Sequence, residues 1–292
     1  MTEWHSVGVL AHPQRPQTAP VAERVAATLR ARGIPTWVYS RWDEETISAQ
    51  VAQANFVVAI GGDGAMLRAA RVCAQYQVPV LGLNMGRLGF LTEVNGPDDW
   101  EKYLQRLLAE EYWIETRMML RVTVAQNGAD DIQGDALNDV VISGSSIGRM
   151  IQLDAYIDGD WTTTYNSDAL IVATATGSTA YALAVGGPIL PPDLRNILIV
   201  PTAPHLSMDR AIVLSEGSQV LVRPAEARGR VLVSADGGPL AELHAEDCVR
   251  IVASPHEARF IRMRGRNYFY RSLLDRLEPR VNRPKTSPEN HV

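Results

Sequence analysis

Several features common in other protein classes are scarce or missing in this chain. Its 292 residues include only two cysteines, Cys73 and Cys248, which lie far apart. That spacing excludes a disulfide scaffold and favours a reducing compartment, the cytoplasm. The apolar runs have only the length of strands, so no membrane span is expected. The opening residues Thr2-Glu3-Trp4-His5 lack the basic and then apolar pattern of a signal peptide, which again predicts the cytoplasm.

Positively charged side chains are also fewer than negatively charged ones, 28 against 33. The formal net charge is −5, whereas proteins that bind nucleic acid by neutralising phosphates need an excess of Lys and Arg. We therefore expect no nucleic-acid partner. The chain shows neither an internal repeat nor a low-complexity tract. With 46% hydrophobic residues it can bury a substantial core, and its length favours two domains.

Strand and helix patterns alternate over the first 115 residues. Apolar runs predict strands at 7–10, 37–39, 56–60 and 78–83. Helices are predicted from about Pro20 to just before Gly33, at 65–76 and at 97–111. Continuous apolar strands joined by helices are typical of a parallel sheet covered on both faces. Ligands of such sheets bind at the carboxyl ends of the strands. We expect an α/β, Rossmann-like domain at residues 1–115.

Short strands rich in Val, Ile, Leu and Thr dominate from Met118 onward. The alternating residues 150–157 and the pair Asp158-Gly159 predict a tight hairpin into 161–165. Further turns are expected at Asn127-Gly128 and Asp236-Gly237, and further strands at 197–200, 220–223, 231–235, 249–252 and 260–263. The pattern predicts an antiparallel, β-sandwich-like domain at 116–265, a C-terminal helix within 266–281 and a mobile tail at 282–292.

The most informative stretch joins the third strand to the next helix. Phe56 to Ile60 is an unbroken apolar strand that runs into Gly61-Gly62-Asp63-Gly64. Glycines let backbone N–H groups approach a ligand, and a helix start favours anions. Because a carboxylate repels phosphate, we interpret Asp63 as handling a proton or a metal while the glycines hold phosphates. This combination favours phosphoryl transfer. The alternative is a tight turn in which Asp63 caps the helix.

Other stretches also break the packing pattern. Residues 83–91 place an Asn and glycines after the fourth strand, and 168–187 contain Asp168 and a Gly- and Thr-rich block. Asn138 and Asp139 interrupt an apolar strand. Neighbours in a regular strand point to opposite faces, so the two share a pocket only if the backbone bends there. The alternative is a bulge whose side chains are satisfied locally.

Taken together, these motifs resemble the NAD kinases, which are related to the diacylglycerol and sphingosine kinases and more distantly to the 6-phosphofructokinases. The resemblance covers nearly the whole chain. It is carried by Gly61-Gly62-Asp63-Gly64, Asn138-Asp139, Thr176 to Tyr181, Gly186-Gly187 and Ala203-Pro204-His205. It implies an N-terminal α/β domain, a C-terminal β domain and a terminal segment that packs back on the first domain.

The resemblance also implies the activity: transfer of the γ-phosphate of ATP to the 2′-hydroxyl of the adenosine ribose of NAD. Mg²⁺ is expected to arrive with ATP, with no side chain as its direct ligand. Relatives are homodimers or homotetramers, and whether polyphosphate can replace ATP stays open. Two alternatives are a lipid kinase of the same superfamily and a non-catalytic NAD(P)-binding regulator. The polar Asn138-Asp139 pair argues against the first and the intact Asp63 against the second.

Roles follow residue by residue from the resemblance. Asp63 is the implied general base, and Gly61, Gly62 and Gly64 hold the phosphates of the donor. Asn138 and Asp139 bind the adenosine of NAD and its ribose. The complete implied NAD-binding set is Asp63, Gly64, Phe90, Asn138, Asp139, Asp168, Thr179, Ala180, Tyr181 and Asp236. Within it, Phe90, Thr179 and Ala180 surround the adenine, and Asp168 and Tyr181 the nicotinamide riboside.

The chain departs from the family pattern at several positions, two of which concern hydroxyl groups. Ala65 follows the glycine block where relatives more often carry Thr, Ser or Asn, and Ala184 stands where some carry Ser. Each change removes one possible hydroxyl contact. Near the end of the β domain, Arg262, Arg264 and Arg266 alternate along a strand, which predicts a solvated face.

Overall fold

The computed structural model describes residues 4–41, 43–86, 89–126, 131–145, 150–225 and 230–277. The expected turn at Asn127-Gly128 and the tail at 282–292 lie outside these ranges. The helices in the described part are α1 Ala19–Arg30, α2 Glu44–Val51, α3 Asp63–Ala74, α4 Trp100–Leu108, α5 Tyr181–Ala184 and α6 Tyr268–Leu277. The strands are β1 Val7–Leu10, β2 Thr36–Tyr39, β3 Phe56–Ile60, β4 Val80–Leu83, β5 Trp113–Ala125, β6 Ile132–Ala136, β7 Asp139–Gly144, β8 Ile151–Ile157, β9 Asp160–Ser167, β10 Ala169–Thr174, β11 Asn196–Thr202, β12 Ile212–Ser215, β13 Val220–Pro224, β14 Val231–Ala235, β15 Gly238–Leu243 and β16 Cys248–Arg262.

The N-terminal part is a parallel sheet with helices on both faces, as predicted. Its strands lie in the order β2-β1-β3-β4. Alternate residues of β3 face opposite sides: Val58 and Ile60 pack with α1 and α4, whereas Val57 and Ala59 pack with α2 and α3. Helix α2 was not predicted from the sequence. Its start is fixed by a capping box between Asp43 and Thr46.

The C-terminal part is antiparallel, also as predicted. A six-stranded sheet runs in the order β12-β11-β10-β7-β14-β15. Its inward apolar side chains, such as Val140 and Ile142, share one core with Val122 of β5 and Ile251 of β16. Two sheets packed face to face around such a core form a sandwich.

One prediction in this part is wrong. The segments 249–252 and 260–263 are not two strands, because both belong to the fifteen-residue strand β16. A register shift against β5 between Ala253 and Glu257 breaks the apolar alternation that suggested two strands. Strand β16 also pairs in parallel with β4 at Phe260 and Val80. The parallel sheet therefore continues into the β part as a ten-stranded sheet.

Several local predictions are confirmed. The hairpin between β8 and β9 turns at Asp158 and Gly159, whose φ angles are 53° and 95°. The C-terminal helix occupies Tyr268–Leu277. The helix expected at 97–111 is shorter, since a 3-10 turn at Pro97–Asp99 precedes α4. The domain boundary near residue 115 stays a prediction. Along the described ranges, no helix is both long and apolar enough to cross a membrane.

Candidate functional site

The Asp63 carboxylate points across to a neighbouring loop. Asp63 is the first residue of α3, after Gly62 as the N-cap, and no side chain caps this helix end. The Phe90 N–H donates to Asp63 Oδ2 at 2.9 Å, and the Leu91 N–H donates to Oδ1 at 3.0 Å. Two amides therefore hold the carboxylate in one orientation. The amides come from the loop after β4, a pairing that the sequence did not indicate.

Gly89 is required for this contact. A Cβ atom at Gly89 would lie 1.8 Å from Asp63 Oδ1 and 2.5 Å from Cγ, well inside any allowed contact. In addition, the Gly89 N–H donates to Thr92 Oγ1 at 2.8 Å. The loop thus closes tightly on the acid, and any side chain at position 89 would displace it.

The backbone bends where Asn138 and Asp139 could share a pocket. Strand β6 ends at Ala136 in one sheet, and β7 begins at Asp139 in the other. The Asp236 carboxylate accepts the N–H groups of Leu137 at 2.9 Å, Asn138 at 2.7 Å and Asp139 at 3.3 Å. Asp236 itself has a φ of 49° in the turn between β14 and β15. A carboxylate bound to three successive amides fixes this bend.

The Thr- and Gly-rich block packs on the other side of the same bend. Thr174 Oγ1 donates to the Leu137 carbonyl at 2.6 Å and accepts the Gly177 N–H at 3.0 Å. A Cβ atom at Gly177 would lie 2.0 Å from the Asn138 carbonyl oxygen. Gly177 is therefore needed because the chain passes so close to the bend.

These segments enclose a cavity of about 330 Å³. It brings together the predicted site residues Asn138, Asp139, Ala180, Tyr181 and Asp236. Its complete lining is Leu67, Asn138, Asp139, Val141, Ala180, Tyr181, Ser234, Asp236 and Gly237. Leu67 lies one helical turn after Asp63, so the cavity wall includes the same face of α3 that begins with Asp63.

Two carboxyl groups meet at this cavity. Asp139 is 6% exposed. Burial, together with the negative charge of Asp236, raises the pKa of Asp139 to about 7. Burial also raises the pKa of Asp236, although its three amide donors and the charge of Arg71 oppose that shift. Asp139 can therefore donate or accept a hydrogen bond near neutral pH.

The structure does not bring Asp168 to this cavity. Asp168 is exposed in the turn between β9 and β10. Its neighbour Ala169 pairs with Ser143, whereas Ala173 at the other end of β10 pairs with Asp139. Asp168 is therefore five residues, about 17 Å of extended chain, from Ala173 and the level of Asp139.

A second cavity, of about 440 Å³, lies on the opposite side of the β14–β15 turn. Its charged side chains are already paired. Arg71 bonds Glu44, and Asp135 accepts from Arg121 at 2.7 Å and contacts His256 Nδ1 at 2.8 Å. Residue 71 lies one helical turn beyond Leu67, so one face of α3 borders both cavities.

The prediction of a solvated arginine face is wrong for Arg262, whose side chain is 0% exposed. Its Nε donates to Glu115 Oε2 at 2.7 Å. Arg264 donates to Glu93 at 3.0 Å and lies over the Tyr268 ring. Arginines do alternate with other residues here, but Arg262 points inward. It lies two residues after the buried Phe260 and shares the same face of β16.

A conformationally fixed carboxylate at a glycine-rich strand–helix turn, on the same helix as the wall of a cavity that contains Asn138, Asp139 and Asp236, is the arrangement of a phosphotransferase that acts on an alcohol. Comparison with known families agrees. Residues 18–112 match the ATP-NAD kinase N-terminal domain, and residues 137–263 match the ATP-NAD kinase C-terminal domain. The chain belongs to the NAD kinase family.

Individual relatives match over almost their whole length. An NAD kinase of Heliobacterium modesticaldum is 35% identical over 280 residues, which cover 94% of this chain and 98% of the relative. An NAD kinase of Azoarcus sp. is 39% identical over 273 residues, covering 87% and 90%.

Solved structures show the same fold. The crystal structure of yeast NADH kinase complexed with NADH superposes with a TM-score of 0.82 at 23% identity, covering 94% of this chain and 88% of that one. An NAD kinase from Archaeoglobus fulgidus in complex with ATP gives a TM-score of 0.72 at 24% identity, covering 92% and 97%.

Proposed function

We propose that this NAD kinase uses Asp63 as the general base that prepares the 2′-hydroxyl of the NAD adenosine ribose to attack the γ-phosphate of ATP. The observation that carries the proposal is the Asp63 carboxylate, held by the amides of Phe90 and Leu91. Asp63 lies one helical turn before Leu67 on α3. Leu67 belongs to the wall of the cavity that contains Asn138 and Asp139.

The carboxylate has the chemistry for this role. A ribose hydroxyl is a weak nucleophile at neutral pH, and a positioned base contributes about 10²–10⁴-fold. Each carboxylate oxygen has two lone pairs, so a carboxylate that accepts from backbone amides can also accept from a hydroxyl. Most of the remaining acceleration would come from alignment and from neutralisation of phosphate charge.

The glycine turn suits the phosphates of the donor. A Cβ atom at Gly62 or Gly64 would meet no atom within 4 Å, so the space above these residues is open. The amides at the start of α3 face the same region, and a helix N-terminus attracts anions. Gly61, with a φ of 151°, supplies the sharp change of direction after β3.

The carboxylates at the site are compatible with Mg²⁺ that arrives bound to ATP. Mg²⁺ commonly uses substrate phosphates, water and one or two carboxylates, so it needs no protein cage. Within the described residues no group of three or more His, Cys, Asp or Glu side chains could form such a cage. When bound, the ion would offset the negative charge of the phosphates, while Asp63 handles the hydroxyl proton.

The cavity suits the adenosine half of NAD. Asn138 and Asp139 would bind the ribose and base through their amide and carboxyl groups, with Thr179, Ala180 and Phe90 around the adenine. Tyr181 would contact the nicotinamide riboside, and Asp168 would do so only from the far end of β10. Asp236 would act on NAD indirectly, because its carboxylate is bonded to the bend. The two solved relatives are complexes with NADH and with ATP, respectively.

The Asn138-Asp139 pair in the cavity wall also separates this proposal from the lipid kinase alternative, because it suits a polar dinucleotide better than acyl chains. We further propose that the enzyme works in the cytoplasm as a homodimer or homotetramer. Light scattering of the purified protein tests its subunit number.

The decisive experiment is product analysis. The protein is incubated with ATP and Mg²⁺ in the presence of both NAD and diacylglycerol, and the product mass and phosphate position are determined. NADP phosphorylated at the adenosine 2′ position supports the proposal. Phosphorylated diacylglycerol instead, or NAD binding without turnover, would replace it with one of the alternatives. A parallel reaction with polyphosphate in place of ATP tests the donor.

A further inference from the structure

A buried arginine lies directly behind the loop that holds Asp63. The Arg262 side chain is 0% exposed near the end of β16. Its Nη1 donates to the Leu91 carbonyl at 2.7 Å, and its Nη2 to the Phe90 carbonyl at 3.4 Å. Phe90 and Leu91 are also the residues whose N–H groups hold Asp63. The Arg262 guanidinium and the Asp63 carboxylate thus bond to the same two loop residues, Phe90 and Leu91.

We propose that Arg262 is a positioning residue for phosphoryl transfer: it fixes the Phe90–Leu91 loop so that its amides hold the Asp63 carboxylate in the reactive orientation. This inference rests on the proposed function of Asp63. A guanidinium suits the task, because its planar fork holds two acceptors in a set geometry that a lysine ammonium cannot reproduce. Small displacements of a catalytic group cost about 10²-fold in rate.

Phe90 and Leu91 lie in a loop outside the sheet ladders. Arg262 is a buried donor to the carbonyls of both residues. Its own charge is balanced by Glu115, which accepts from Nε at 2.7 Å, and by Glu93, whose carboxylate lies 3.6 Å from Nη1.

The same carboxylates connect the loop to the rest of the molecule. Glu115 accepts from Arg117 Nη2 at 3.0 Å and from the Tyr268 hydroxyl at 3.0 Å. Tyr268 is the first residue of α6, so the C-terminal helix closes this buried cluster. The buried cluster therefore anchors the loop to β5, β16 and α6. Within this cluster, Arg262 donates to the carbonyls of both Phe90 and Leu91.

Arg264 provides a matched control. It lies two residues further along, shares the Glu93 carboxylate and donates to the Thr92 carbonyl at 2.7 Å. Its hydrogen bonds go to Glu93 and Thr92 and not to the carbonyls of Phe90 or Leu91. Removing Arg264 therefore perturbs the same cluster of charges without releasing the two residues that hold Asp63.

The test compares Arg262→Met, Arg262→Lys and Arg264→Met with the unaltered enzyme in NADP formation, with thermal unfolding as a check of folding. We expect kcat to fall about 100-fold in Arg262→Met while the KM for NAD changes less than about threefold, since Asp63 acts in the chemical step. Arg262→Lys should recover part of the lost kcat, because one ammonium can bond one carbonyl. Arg264→Met should lower the melting temperature and keep kcat within about threefold of the unaltered enzyme.

The inference is overturned if Arg262→Met and Arg264→Met show the same kcat, or if Arg262→Met changes only KM. Should Arg262→Met fail to fold, Arg262→Lys decides in its place, because it keeps the charge beside Glu115. A kcat for Arg262→Lys equal to that of the unaltered enzyme would then refute the role. If the unaltered enzyme forms no NADP, the proposed function fails first, and that result is distinct from equal rates among active variants.

Discussion

Asp236 holds Asp139 through both groups of the Asp139 backbone: its carboxylate accepts the Asp139 N–H at 3.3 Å, and its own N–H donates to the Asp139 carbonyl at 2.9 Å. The turn between β14 and β15 is thereby fastened to the start of β7. The Asp236 carboxylate is used to shape the bend. The Asp139 side chain is then available to the cavity that it lines.

Replacement of Asp63 tests the proposed base. We expect Asp63→Ala to lower kcat by about 10²–10⁴-fold and to leave NAD binding largely intact, because the adenosine contacts come from other residues. Initial rates of NADP formation and calorimetric titration with NAD measure the two effects. Asp98→Asn, at an exposed acid before α4, is the control. Undiminished turnover in Asp63→Ala would remove this residue from the mechanism.

Gly89→Ala should act through Asp63 without changing any titratable group. The added Cβ would lie 1.8 Å from Asp63 Oδ1, so the carboxylate or the loop must shift. We expect a kcat loss of about 100-fold with a smaller change in the KM for NAD. Gly86→Ala in the same loop is the control, since a Cβ there meets no atom within 4 Å. Equal rates for the two variants would contradict the close contact.

Asp139 should make the protein less stable as the pH rises. Its pKa is raised from 3.8 to about 7, so between these values the folded state binds a proton that the unfolded state has lost. Stability from this group is therefore present below about pH 4 and is lost progressively up to pH 7. We expect Asp139→Asn to melt at a higher temperature than the unaltered protein at pH 8, and the difference to shrink towards pH 4.

Asp135→Asn should show the opposite sign and serves as the comparison. Burial tends to raise the pKa of Asp135, but hydrogen bonds from Arg121 and His256 outweigh it and the pKa is lowered. Its carboxylate therefore stabilises the fold above its ordinary pKa, and this contribution is lost as the pH falls. Melting curves from pH 4 to pH 8 measure both variants. A pH-independent difference for Asp139→Asn would exclude a raised pKa.

Asp236→Asn should loosen the bend at Leu137 to Asp139. The carboxamide has one acceptor oxygen where the carboxylate has two, so at least one of the three amides loses its partner, at about 1–3 kcal/mol for a buried group. We expect lower stability and weaker NAD binding, measured by melting and titration. Asp158→Asn is the control, because Asp158 has a similar φ of 53° in an exposed hairpin. NAD affinity unchanged in Asp236→Asn would show that the bend does not depend on these bonds.

Much of the fold follows from local patterns. The bounds of β1, β3, β14 and α6 agree with expectation because short apolar runs and nearby turn residues specify them. The polar helix α2 and the uninterrupted course of β16 were not predicted. In the first the apolar pattern is weak, and in the second a register shift against β5 hides the strand.

By itself, the sequence determined the two kinds of architecture, the glycine turn with its single acid and the motifs of the NAD kinase family, since all of these reside in residues close together in the chain. Only the tertiary structure decided which partners those residues meet. Asp63 is held by amides 27 and 28 positions away, and the carboxylate of Asp236 reaches back 99 positions to Leu137. Arg262 is buried rather than solvated because β16 extends into the parallel sheet and places its side chain behind the Asp63 loop. Such contacts depend on how distant strands and loops pack together, and local residue patterns carry no record of that packing.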